Sequence, residues 1–165
     1  MFGRDGNISI IRVGIIAAII GGLFIVGAIV FFFVDRASHQ VPLEIDPFPG
    51  ATIAGQVPHS TTSRTEYFQI PNVSPEDVVA YYQGKMDSFY GPNTEEEIRK
   101  CKRFPAVGEQ LEYKRGDPGV TPYQYTCLFD RSGFFISQST RVIIQPGIDE
   151  NKDMTIVAHD QSWES

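Results

Sequence analysis

The stretch Val13–Val34 reads VGIIAAIIGGLFIVGAIVFFFV, 22 residues without a charged side chain. As a helix rising about 1.5 Å per residue it is roughly 33 Å long, against roughly 30 Å for the hydrocarbon core of a bilayer. No other feature constrains the chain as much, because such a segment needs lipid on all sides. A secretory signal has a shorter apolar core, roughly 7 to 15 residues. A cut after Ala37 would also leave Asp35 where a small residue is needed. The sequence therefore predicts an uncleaved anchor. Residues 1–12 form a cytoplasmic tail, 13–34 a transmembrane helix, 35–50 a Pro-rich linker and 51–165 an extracytoplasmic domain.

Orientation follows from flanking positive charge. Arg4, Arg12 and the terminal amine precede the span, and Arg36 alone follows it closely, beside Asp35. That bias predicts a single-pass protein of the cell inner (plasma) membrane with its N-terminus in the cytoplasm. Phe31, Phe32 and Phe33 fall near the outer interface. The span holds no ionisable residue and so offers no proton or ion relay. Gly14, Ala18 and Gly22 recur every four residues, on one helix face where another helix can approach closely. Ordinary span composition yields the same spacing by chance. The partners implied are the lipid bilayer and the transmembrane helices of other subunits.

Ala37 to Ser165 leaves 129 residues, enough for one domain with a modest core. They hold 11 Lys and Arg against 18 Asp and Glu, a net charge of −7. Such a surface suits neither nucleic acid nor anionic lipid. The two cysteines, Cys101 and Cys127, predict one disulfide in an oxidising compartment. Two buried free thiols are the alternative. No C-x-x-C or C-x-x-C-H occurs, so neither a zinc ribbon nor attached haem is signalled.

Pro42, Pro47 and Pro49 favour an extended linker, with Leu43, Ile45 and Phe48 available to pack on the domain. Ala51–Val57 and Thr65–Ile70 read as a hairpin around the polar turn HSTTSR. Tyr67 and Phe68 then point to opposite faces. The next segment has the full grammar of a helix. Ser74 is the N-cap, Pro75 the first helical residue, Glu76 and Asp77 favour the dipole, and Gly91-Pro92 ends it. Val73 is placed to staple Val78, and Val79, Tyr82, Met86 and Phe89 share one face. Thr94-Glu95-Glu96-Glu97 predicts a second capping box and a short helix towards Cys101, helped by Glu95–Arg99 and Glu96–Lys100 pairs.

Strands are predicted at 110–114, 123–130, 134–144 and 154–160. Tyr123, Tyr125, Cys127 and Phe129 share one inward face, as do Phe134, Ile136, Val142 and Ile144, and finally Met154, Ile156 and Ala158. Arg115-Gly116-Asp117 reads as part of a turn before it reads as an adhesion tripeptide. The fold class expected is α+β, with an antiparallel sheet packed against one main helix.

Signatures of chemistry are missing. His39 lies by the membrane, His59 in a turn and His159 on the polar side of the last strand, none with a second ligand at helical or strand spacing. No G-x-S-x-G, P-loop or dinucleotide fingerprint is present. The sequence assigns no catalytic, cofactor-binding or metal residue and signals no small-molecule ligand.

The N-terminal anchor, the run P-F-P-G-A at 47–51 and S-P-E-D-V-V-A-Y-Y at 74–82 resemble small anchored extracytoplasmic domains of filamentous Chloroflexi-type bacteria. Those run on to Gly-Trp after the helix, where this chain has Tyr90-Gly91-Pro92. The layout is also similar to single-span subunits of bacterial electron-transfer complexes such as alternative complex III. These resemblances carry over no functional residue. With the missing signatures they imply a non-catalytic accessory subunit of a larger membrane complex, respiratory or photosynthetic. The alternative is an anchored extracytoplasmic binding or sensing domain.

Overall fold

The computed structural model describes residues 10–107, 123–133, 136–148 and 151–164. Helix α1 covers Ile10–Ser38 and carries exposed side chains from Ile11 to Val34. It is apolar on every side, as a helix surrounded by lipid must be. It is long and apolar enough to cross a membrane. It also continues a full turn past Val34, so Asp35–Ser38, expected to open a linker, are helical. Gly14, Ala18 and Gly22 lie on it, and a Cβ built at Gly14 or Gly22 would meet nothing within 4 Å.

A second compact unit begins at His39. Its strands are β1 (Thr52–Ser60), β2 (Ser63–Pro71), β3 (Lys102–Phe104), β4 (Gln124–Asp130), β5 (Ser139–Pro146) and β6 (Met154–Ser162). Helix α2 (Pro75–Tyr90) follows β2. The sheet runs β1-β2-β6-β5-β4-β3, antiparallel throughout. The first hairpin lies at one edge, α2 carries the chain to the other, and a meander returns. β6 closes the gap between β5 and β2, pairing Val157 with both Phe68 and Ile144. This is the expected α+β layout.

Helix α2 starts as its sequence dictates. The Ser74 hydroxyl accepts the Asp77 amide at 3.2 Å and donates to the Asp77 carboxylate at 2.6 Å. Gly91 ends the helix at φ 72° and ψ 173°, a backbone conformation that glycine adopts readily. Val78, Tyr82 and Met86 are fully buried, and Val79 and Phe89 pack at the flanks. Facing them are Phe68 and Ile70 of β2, Cys127 and Phe129 of β4, Val142 and Ile144 of β5, and Val157 of β6. Cys101 and Cys127 are bridged, tying the segment after α2 to the inner face of the sheet.

Several expectations are corrected. The first ladder continues to Ser60 opposite Ser63, which leaves only Thr61 and Thr62 in the turn. No helix forms after Thr94, because its hydroxyl donates back to Tyr90 O at 2.9 Å instead of capping forward. Lys100 does pair with Glu96 at 2.6 Å, whereas Arg99 turns to Asp87 at 3.7 Å. Strand β3 was not foreseen. β5 begins at Ser139, and Ile136 makes only an isolated bridge to Gly133. The predicted strand 110–114, the Arg115–Asp117 tripeptide, Phe134, and the tail with Arg4 lie outside the described residues.

The Pro-rich segment 39–50 is a strap across the sheet. His39 is buried and Leu43, Ile45 and Phe48 pack on the core. Backbone amides reach its two ends, Glu164 to His39 O and Ala51 to Phe48 O, and side chains supply donors between them. Thr140 and Gln161 both donate to Leu43 O, Gln138 to Val41 O at 2.8 Å, and Tyr81 to Pro47 O at 3.1 Å. Arg64–Glu44 and Lys85–Asp46 ion pairs flank it.

Candidate functional site

In β6 the inward positions are Thr155, Val157, His159 and Gln161, all buried, and the outward ones are Met154, Ile156, Ala158 and Asp160. This reverses the sequence reading, which turned Met154, Ile156 and Ala158 to the core and His159 to solvent. The reversal has a physical basis. Inward polar groups are stable only with partners, and here each has one. Thr155 donates to Val73 O at 2.6 Å, Gln161 serves the strap, and His159 Nε2 shares a hydrogen bond with the Tyr82 hydroxyl at 2.8 Å. The Phe68 ring lies 4.8 Å from the imidazole. Burial holds the His159 imidazole down at about pKa 4 and pushes the Tyr82 phenol up.

The opposite face of the sheet is covered by no element among the described residues. A shallow groove of about 310 Å³ crosses it, lined from five strands. Ala158 sits at its centre, in register with Tyr67 of β2 on one side and Ile143 of β5 on the other. A methyl between two long side chains makes the depression. Gln124 and Gln145 stand at one end; His59, Thr65 and Asp160 stand at the other. Tyr67, Val57 and Leu128 add exposed apolar surface to the same face, and Phe104 does so at its rim.

The polar end is a connected chain. His59 Nε2 lies 2.8 Å from Thr65 Oγ1, which donates to Asp160 Oδ1 at 3.3 Å, and Arg141 approaches Asp160 at 3.9 Å. The Thr65 hydroxyl thus stands between the His59 imidazole and the Asp160 carboxylate. The groove's floor is sheet, whose amides are spent in the ladder. The groove offers an apolar floor with fixed polar groups at both ends.

His39, His59 and His159 are separated, and no three His, Cys, Asp or Glu among the described residues are placed to hold a metal. Sequence reasoning missed the outward face as a site. The signal was present in the apolar alternation of Met154, Ile156 and Ala158, which was assigned to the core. No protein-family model, curated protein or solved structure matches the chain.

Proposed function

We propose that this chain is a non-catalytic, single-pass accessory subunit of a larger membrane complex, anchored in the plasma membrane by α1. In this reading the N-terminus is cytoplasmic, the domain is extracytoplasmic, and the outward sheet face meets a partner protein. Electron-transfer complexes are the class whose layout the chain resembles. The observation that supports the reading is the reversed polarity of β6, with Ile156 and Ala158 outward and His159 and Gln161 inward. A face left to water is usually polar at alternate positions; apolar residues there suit a covered interface.

The test is purification of the full chain in mild detergent with identification of co-migrating proteins. The parent should travel with a multi-subunit complex. Ala158→Arg fills the depression with a cation and should lower the retained partner about tenfold, a loss of about 1.4 kcal/mol. Gly22→Leu, which holds two helix backbones apart, should weaken it further while leaving insertion intact. A parent that migrates alone sinks the accessory reading. It would favour the second one, an anchored binding or sensing domain, which rests on the groove's polar ends.

A further inference from the structure

The strap holds residues 39–50 on the domain itself. A flexible linker over 35–50 would let the domain wander about 20 Å or more. Instead Asp35–Ser38 are helical, adding about 6 Å beyond Val34. The next residue is already fastened. The His39 carbonyl accepts the Glu164 amide at 3.0 Å, and its Nε2 lies 3.1 Å from Arg131 O. Headgroups extend roughly 5 to 8 Å beyond the hydrocarbon on each side. Whatever the angle of α1, covalent continuity brings His39 and the residues bonded to it to that layer.

Those residues form one end of the domain. Glu164 follows Trp163, whose amide donates to Thr62 O at 3.0 Å in the β1–β2 turn. Glu164 Oε2 also faces the Ser137 amide at 3.4 Å, beside half-buried Ile136. Val41, two residues into the strap, is 55% exposed. Trp163 is the chain's single tryptophan and is half-buried. Amphipathic rings of this kind favour the headgroup level, with the apolar body towards the chains and the N–H towards water. Arg131 and Glu164 give this end both signs of charge, which suits a zwitterionic lipid surface.

We propose that this end of the domain is a lipid-facing rim, with Trp163, Val41 and Ile136 resting in the headgroup layer of the bilayer that α1 spans. The inference rests on the reading of α1 as a membrane span. Met154, at the other end of β6 from Ser162, is about 26 Å away along the strand.

The test uses the full chain in phosphatidylcholine vesicles carrying a spin label either on the headgroup or deep in the acyl chains, in both leaflets. Headgroup labels should quench Trp163 emission about twofold or more, deep labels and aqueous acrylamide much less. Trp163→Phe combined with Ile148→Trp moves the reporter to the far end of the sheet. Its emission should respond to acrylamide and to neither lipid label. Alkaline extraction of the same vesicles reports on α1 separately. A chain washed out by alkali removes the span and the rim together. A chain that stays, with Trp163 unquenched by lipid or with both reporters quenched alike, overturns the rim alone.

Discussion

The two faces of this sheet are built from the same strands, and along β6 their polarity departs from what depth suggests. In β6 the face towards α2 and the strap carries Thr155, His159 and Gln161, and the opposite face, uncovered among the described residues, carries Ile156 and Ala158. The difference lies in what covers each face. A helix hides its own backbone groups and asks only for apolar contact, which Val157, Val142 and Phe129 provide. An extended strap brings unpaired carbonyls, and each must find a donor. Thr140, Gln161 and Gln138 are those donors. Burial here follows from the covering layer's hydrogen-bond needs as much as from hydrophobicity.

The largest expected effect separates neighbours on β4. Phe129 is 1% exposed and Leu128 is 39% exposed on the other face. Phe129→Ala should cost about 3–5 kcal/mol by denaturant unfolding of the full chain in micelles. Leu128→Ala should cost less than about 1 kcal/mol. Equal losses would mean that the outward face is as packed as the inward one.

Next comes acid. The His159 imidazole, near 6.5 when free, is held at about 4 by burial. Above pH 6.5 both folded and unfolded states keep it neutral, and the fold's stability is full. As pH falls, the unfolded chain takes up the proton first, so stability declines from about pH 6.5 and levels off below about 4. The full loss is about 3 kcal/mol. His159→Asn, which cannot titrate, should start less stable and show a flatter profile through that window. An unchanged profile would remove His159 from the account.

The smallest effect is expected outside. Ile156→Thr keeps a β-branched residue on the outward face and should shift stability by less than about 1 kcal/mol. The same variant should lose partner in the co-purification assay. A large destabilisation instead would make Ile156 a core residue and weaken the case for docking.

Much of the domain was legible from local signals. Ser74, Pro75, Gly91 and Pro92 mark α2 within a residue, because caps and stops are chemistry between near neighbours. The alternation in β4 placed Cys127 and Phe129 inward correctly. Strand β3 escaped notice because three residues, Lys102–Phe104, carry no periodicity of their own. Thr94 misled because its hydroxyl had two backbone directions to choose from, and the preceding helix won. The groove was not legible, since Tyr67, Ala158 and Ile143 are far apart in the chain and become neighbours only through register.

Two properties belong to the sequence alone. The 22 uncharged residues of the span demand an apolar surrounding in any fold, and the helix grammar from Ser74 to Pro92 acts within a few residues of itself. What only the tertiary structure decided is which side of each later strand became the inside. Met154–Ser162 offers one face with Met154, Ile156 and Ala158 and another with Thr155, His159 and Gln161, and nothing within nine residues turns the second inward. The choice came from a distance. Tyr82 brought a partner for His159, and the strap brought carbonyls for Thr140 and Gln161, so the polar face was the one that satisfied its hydrogen bonds inside. The apolar residues displaced by that choice are left on the opposite face of the sheet.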